Sequence, residues 1–357
     1  MSKLMFYIDS MQMGGANRVM SILVNYFSSC GYDVVLVNDA LPENGKPEYD
    51  ISKTVKRVFL DSAKKNKSFK NLKRIFSLRK VMKTEKIDTA ISFMGPPNIR
   101  LALASLFLPT YTILSVRNDP NVEYGRGIKK IVANILFKIA DKCVFQTEEA
   151  SKYFGQSIRK KSSIILNPVD AKFFKNYWKP QNKEIVVVGR LQPQKNPFLA
   201  LKAFSKVADV FKDYSLVFYG DDELSTEIIK MAYELNLSER VEIRGKTKNV
   251  ENVMTSSALY LLSSNYEGLP NTLMEAMAVG IPVISTNCPC GGPSYLIQKN
   301  RDVSLVECGN EEQMAQSIKK ILNDPDLQQM LSNDERNRAK EFDTFKILNQ
   351  WQNIIIH

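Results

Sequence analysis

The feature that most constrains the fold is an alternation running the length of the chain. Short apolar runs, rich in β-branched and aromatic residues, are each followed by a longer stretch with helical spacing. In the first half these runs fall at 4–8, 34–37, 89–93, 111–116, 142–146 and 163–166. In the second they fall at 184–188, 215–219, 241–243, 259–262, 282–285 and 304–306, with helical patterns such as 16–28, 196–208 and 312–322 between runs. A strand that returns in the same direction needs a crossover helix, and a sheet covered by helices is buried on both faces. The expectation is an α/β chain built on parallel sheets.

The pattern breaks once. Residues 167–181, NPVDAKFFKNYWKPQ, are polar and irregular with prolines near both ends, and a new strand then starts with IVVVGRL. The 357 residues suffice for two medium domains. Two Rossmann-like domains of similar size are expected, at 1–170 and 171–340, facing each other across a cleft lined by the carboxyl ends of both sheets.

Composition removes several function classes. The one His is residue 357, so Ser-His-Asp and Cys-His mechanisms and His-ligated zinc are excluded. Among the five Cys only Cys288 and Cys290 are close in sequence, which suggests neither a zinc site nor a disulfide framework. Asp324-Pro-Asp326 follows a helical pattern and reads as a turn, so no metal is expected. The opening KLMFYI is too short for a signal peptide, and no run reaches the length of a membrane span. The expected location is cytoplasmic.

The net charge of +11 is concentrated: residues 53–86 hold thirteen Lys or Arg against only Asp61 and Glu85. Either this is a solvated basic helix, or Lys64, Lys65, Lys67, Lys70, Lys73 and Arg74 present a surface to anionic lipid or a polyanionic acceptor. Aromatic residues are sparse there and no recognition motif accompanies the run, so nucleic acid is not expected.

Chemistry concentrates in 265–285, NYEGLPNTLMEAMAVGIPVIS. Glu267 lies in a loop after a strand and Glu275 early in the next helix. Carboxylates accept hydrogen bonds from sugar hydroxyls, and free N–H groups at a helix start hold phosphate, so the segment suits a phosphorylated polyol. Gly268 permits close approach, Leu269 and Pro270 lead into the helix, and the N–H groups of Asn271, Thr272 and Leu273 face a phosphate. Glu267 is assigned to a sugar and Glu275 to ribose hydroxyls. In VVVGRLQPQKN, Gly189 ends a strand, and Arg190 and Lys195 precede a helix, a setting for a diphosphate. Tyr219-Gly220-Asp221 ends another strand and reads as further pocket wall or an ordinary turn. In the first half, Gly14 and Gly15 open a helix without a dinucleotide fingerprint, and Arg117 follows a strand as a candidate for donor phosphate or sugar.

These pieces together resemble a family. MGGANRV, SVRNDP, LNPVD, GRLQPQKNP, YGD, EGLPNTLMEAMAVGIPVIS and TNCPCGGP are similar, across essentially the whole chain, to retaining GT-B glycosyltransferases of family 4. The resemblance implies that Arg190 and Lys195 hold the donor diphosphate, that Glu267 contacts the transferred sugar, and that Glu275 binds ribose. It implies that Gly15 lies against donor phosphates, and that Arg18 belongs to the acceptor side. It also implies that a last helix within 341–357, containing Trp351, crosses back to the first domain. Two positions depart from the family pattern: Arg117 stands where many members carry His, and Asp222 stands where a second glycine often follows Gly220.

The implied reaction moves a hexose or N-acetylhexosamine from a nucleotide diphosphate sugar, with a UDP-sugar the first choice, to a hydroxyl of a polyprenyl-diphosphate-linked glycan, retaining configuration. The implied partners are that nucleotide sugar, that acceptor and an anionic membrane surface bound through 53–86, the protein being a monomer or weak dimer at the inner face of the cell membrane. A non-catalytic nucleotide-sugar binder and a UDP-sugar epimerase are the rival readings; the epimerase lacks the acid–base side chains it would need.

Overall fold

The computed structural model describes residues 2–12, 14–42, 48–60 and 69–356. Lys64, Lys65 and Lys67 of the basic run lie outside the described residues, as does Met13 before the glycine pair. The chain divides into two compact units, Met1–Asn167 with Ile347–His357, and Pro168–Lys346.

The first unit holds a seven-stranded sheet. Its strands are β1 (Lys3–Tyr7), β2 (Asp33–Asn38), β3 (Lys56–Phe59), β4 (Thr89–Phe93), β5 (Tyr111–Ser115), β6 (Lys142–Phe145) and β7 (Ser162–Ile164). They lie in the order β3-β2-β1-β4-β5-β6-β7, and every pairing is parallel. The second unit holds β8 (Glu184–Val188), β9 (Ser215–Tyr219), β10 (Val241–Ile243), β11 (Leu259–Leu262), β12 (Val283–Thr286) and β13 (Leu305–Val306). Its order is β10-β9-β8-β11-β12-β13, again parallel throughout. Both are Rossmann-like: each sheet reverses direction beside its first strand, and the loops on either side of that point diverge to leave a crevice at the strand ends.

A strand stands at each of the twelve sequence positions expected, and β3 is additional. Its four residues KRVF sit in the basic run and carry little apolar signal. They are held by pairing with β2 and by Arg57, whose guanidinium contacts Glu48 at 2.8 Å. The central strands β1, β4, β8 and β11 are buried almost throughout, as strands covered on both faces must be.

In the first unit the helix Gly95–Ala104 packs against both Lys70–Thr84 and Ile128–Ile139, so these three form one layer on a sheet face. The final helix, Thr344–Ile355, buries Ile347, Leu348 and Trp351, and the Trp351 ring lies 5.6 Å from that of Phe93. No helix among the described residues is long and apolar enough to cross a membrane.

Candidate functional site

The sequence-selected residues of the second unit gather at the carboxyl ends of β8, β9 and β11, the middle of its sheet. The loop after β8 contributes Gly189, Arg190 and Lys195, the end of β9 contributes Gly220, and the loop after β11 contributes Glu267 to Pro270. Arg190 and Lys195 line a small pocket with Gly189, Leu191, Leu262 and Ser263.

Two close backbone crossings shape these loops. A Cβ placed on Gly220 would sit 1.8 Å from the carbonyl oxygen of Gly189, and one on Gly292 would sit 1.8 Å from that of Gly268. Neither position accepts any side chain, so the Gly189 turn rests directly on the end of β9 and the Gly268 turn on the helix Gly292–Leu296. This gives Gly220 a packing reason, and it reveals Gly292, which the sequence motif TNCPCGGP contains but does not explain.

A short polar chain then ties the two loops together. Lys195 Nζ lies 2.5 Å from Glu267 Oε1, and Ser264 Oγ donates to the same oxygen at 2.7 Å. Ser263 Oγ donates to the Lys195 carbonyl at 2.9 Å, and the Asn265 amide to that of Gln194 at 2.8 Å. Glu267 is 7% exposed, so its pairing is strong and its geometry fixed. Ser263 and Ser264 were missed in the sequence because serines before a loop carry no signal of their own. Arg190 is exposed and forms no ion pair among the described residues.

The helix Asn271–Val279 begins directly after Pro270, which has extended backbone and supplies no side-chain cap. Its first N–H groups, on Asn271, Thr272 and Leu273, precede the first intrahelical bond, from Met274 to the Pro270 carbonyl. Thr272 also accepts from the buried Tyr260 hydroxyl at 2.7 Å. Burial pushes the Tyr260 phenol up, so it stays a donor. Glu275 lies on this helix, 3% exposed. At the far end Arg336 donates to the carbonyls of Ala278 and Val279 at 2.9 and 3.0 Å, which locks the helix that carries Glu275.

The residues selected in the first unit behave differently. Gly15 starts the helix Gly15–Ser29 and Arg18 sits half-buried in its first turns. Gly14 has extended backbone, and a Cβ there would make only ordinary contacts, 3.8 Å from Asn17 and from the Gln12 carbonyl oxygen. Arg117 turns inward, against the expectation of a ligand-facing group. Its guanidinium stacks 4.3 Å from the Phe93 ring and 5.1 Å from that of Trp351, and donates to Asn167 Oδ1 at 3.0 Å. Its Nε and Nη2 are buried without hydrogen-bond partners among the described residues, and burial pulls its pKa down to about 9. Arg74 also departs from expectation: it reaches Asp39 at 3.0 Å, alongside Arg100 at 2.6 Å, instead of joining an exposed basic face. Lys70 and Lys73 are exposed. Glu123, passed over in the sequence, has both carboxylate oxygens shut off from solvent, and burial pushes it up to about 8.

Residues 168–338 match the family described as glycosyl transferases group 1. A Campylobacter jejuni enzyme, GalNAc-alpha-(1->4)-GalNAc-alpha-(1->3)-diNAcBac-PP-undecaprenol alpha-1,4-N-acetyl-D-galactosaminyltransferase, is 27% identical over 361 residues, which span 99% of this chain and 98% of the relative. Sucrose-phosphate synthase of Thermosynechococcus elongatus has the same fold at a TM-score of 0.85 and 16% identity, covering 99% of this chain and 98% of that one. Anabaena HepE, solved with UDP and glucose, superposes at a TM-score of 0.82 and 16% identity over 99% of each chain.

Proposed function

We propose that this chain, whose residues 168–338 match the family glycosyl transferases group 1, is a GT-B-fold glycosyltransferase that moves a hexosyl or N-acetylhexosaminyl group from a UDP-sugar to a hydroxyl of a polyprenyl-diphosphate-linked glycan, with retention of configuration. The observation that carries this reading is the Lys195–Glu267–Ser264 chain beside the open start of the helix Asn271–Val279, at the end of β11. One short stretch of surface offers fixed cations and N–H donors for a diphosphate, and a fixed carboxylate for a sugar.

As the glycosidic bond breaks, negative charge grows on the β-phosphate of the nucleotide. Arg190, Lys195 and the N–H groups of Asn271, Thr272 and Leu273 stabilise that charge, and such stabilisation by preset groups lowers the barrier more than any other single effect in catalysis of this kind. Glu267, with one oxygen held by Lys195 and Ser264, keeps its other oxygen for sugar hydroxyls. Glu275 takes the ribose hydroxyls. The transferred sugar becomes oxocarbenium-like. Attack comes from the leaving-group side, with a phosphate oxygen taking the acceptor proton. The donor is supported by HepE, solved with UDP, and the acceptor class by the undecaprenol-linked substrate in the C. jejuni relative's name. Residues 53–86 draw the protein to an anionic membrane surface, where such an acceptor resides.

The test is incubation with a panel of nucleotide sugars and a bacterial lipid extract, following nucleoside diphosphate release and labelled lipid together. Labelled lipid from a single UDP-sugar is the expected result. UDP release with no lipid product overturns the acceptor, and binding of a donor without any turnover favours a non-catalytic nucleotide-sugar binder.

A further inference from the structure

The helix Ile128–Ile139 has its polarity reversed. Its core contacts are made by Ala133 and Phe137, while Ile128, Ile131, Val132 and Ile135 face solvent, Ile128 at 79% and Ile131 at 60% exposure. These positions follow the i, i+3, i+4, i+7 rule, so they form one aliphatic stripe. Lys129, Lys130 and Lys138 are exposed along its flanks. The helix Lys70–Thr84, two places away in the same layer, repeats the arrangement. Phe69, Leu72 and Phe76 stand exposed in a groove that they share with Lys73 and Lys80. The helix between them, Gly95–Ala104, is followed by Phe107 at 97% exposure.

A monomeric surface rarely leaves this many large apolar side chains together in water. Their companions settle the occupant. The charged groups along both stripes are lysines, on stems long enough to reach an anionic headgroup while the aliphatic face sinks below it. A protein partner would be met by one groove; here two helices of one layer, and the turn after the helix between them, present apolar side chains. We propose that this layer is a bilayer-insertion face, in which the helix Ile128–Ile139 enters an anionic membrane beside Phe69, Leu72, Phe76 and Phe107. This rests on the proposed membrane-bound acceptor and deepens it: the charge of 53–86 draws the protein in, and apolar insertion holds it there.

The experiment is flotation with phosphatidylglycerol–phosphatidylethanolamine vesicles at low and high salt, for the native chain and for Ile131→Asp/Ile135→Asp. Native binding should survive high salt, because insertion is not screened. The double variant should bind at least about tenfold more weakly, yet transfer sugar to a short water-soluble acceptor at the native rate. Binding abolished by salt and unchanged in the variant overturns the proposal and leaves the electrostatic reading standing. A native dimer in sedimentation that the same variant dissolves also overturns it, by assigning the face to a second copy of this chain.

A separate observation carries a second inference. Cys288 and Cys308, twenty residues apart in sequence, converge on one carbonyl: Cys288 Sγ lies 3.2 Å and Cys308 Sγ 3.8 Å from the oxygen of Ser264. Ser264 is the residue whose hydroxyl holds Glu267. Cys288 is buried and Cys308 reaches solvent. The neighbouring Cys288 pulls the Cys308 thiol down to about 7. We infer that Cys288 and Cys308 form a peroxide-oxidisable pair that deforms the Glu267 loop when it closes. The Cys308 thiolate attacks the peroxide O–O bond, giving a sulfenic acid and releasing water. The Cys288 thiol then displaces a second water to form the disulfide, so one hydrogen peroxide and two thiols yield one disulfide and two waters.

Treatment with hydrogen peroxide should remove two hydrogens from the intact mass, join the peptides containing the two residues, and slow donor turnover by about tenfold or more until dithiothreitol restores it. Cys308→Ser, active without oxidant, should be indifferent to peroxide. A crosslink that leaves turnover unchanged overturns the inference, as does oxidation of Cys308 to sulfinic acid with no crosslink.

Discussion

The two sheets share a topology and use their charges in opposite ways. At the strand ends of the second unit the charged groups are held by neighbours that leave part of their bonding capacity for a ligand: the buried Glu267 gives one oxygen to Lys195 and Ser264, and Arg190 stands exposed. In the first unit the arginines turn inward. Arg100 and Arg74 close on Asp39, whose carboxylate also accepts from the Tyr7 hydroxyl at 2.7 Å, and Arg117 lies between aromatic rings. That unit's outer helices carry aliphatic tips instead. One parallel sheet presents a preset polar site, and the other a polar interior under an apolar surface. The fold therefore does not decide which chemistry a sheet edge bears; the loop residues do.

The largest test of this contrast concerns backbone contact. Gly220→Ala and Gly292→Ala each force a Cβ into a carbonyl oxygen of the candidate site. Each should destabilise the fold by about 4 kcal/mol or more, measured by denaturant melts. Gly14→Ala in the corresponding loop of the first unit should change stability by less than about 0.5 kcal/mol, because nothing there crowds the position. Equal effects at the three glycines would erase the distinction.

Next in size is chemistry. Lys195→Met and Glu267→Gln should each lower kcat by about a hundredfold to a thousandfold, the range for removing one preset electrostatic group, with melting temperatures close to native. Ser264→Ala should cost about tenfold to a hundredfold, since it removes one hydrogen bond to a carboxylate, worth about 1.5–3 kcal/mol. Losses that follow Ser264 more closely than Lys195 would move the centre of the site.

The sheets were legible in the sequence and the use of their edges was only half so. Apolar runs such as IVVV and LYLL announce buried parallel strands by themselves, whereas KRVF gains its strand character from β2 and from Arg57–Glu48, neither of which a local window contains. In the second unit the candidate residues Lys195 and Glu267 lie in loops a few positions after a strand end, so a local window of sequence could propose them. What ties them together is long-range: Gly189 against Gly220, Gly268 against Gly292, Cys288 against Cys308. Arg117 looked ligand-facing because it follows a strand; Phe93, Asn167 and Trp351, which enclose it, come from three remote segments.

Another effect is read by pH. Glu123 has a folded pKa of about 8 against an ordinary 4.5, because burial disfavours its charge. Below the ordinary value both folded and unfolded chains carry the proton. Between the two values the unfolded chain loses it first, so stability falls as pH rises. Glu123→Gln should remove that slope and leave the variant, relative to native, about 3–4 kcal/mol better off at pH 8 than at pH 5. Parallel pH profiles for the two proteins would show Glu123 ionised in the fold.

The smallest expected change is at Arg117, and it decides most about the comparison. Arg117→Met removes a cation–π contact worth about 1–2 kcal/mol and one hydrogen bond, but Asn167 Oδ1 keeps its bond from Gln146 Nε2 at 2.8 Å. It also frees the fold from two buried N–H groups that lack partners. A flexible apolar chain of similar length fills the slot between Phe93 and Trp351, and the exchange of a buried charge for a packed hydrophobe is often neutral. Stability should move by less than about 1 kcal/mol, and kcat/KM by less than about threefold, because an inward-facing guanidinium stabilises no developing charge. A large fall in kcat/KM at native stability would mean that Arg117 swings out to the donor during turnover, and the first unit would then use its charges as the second does.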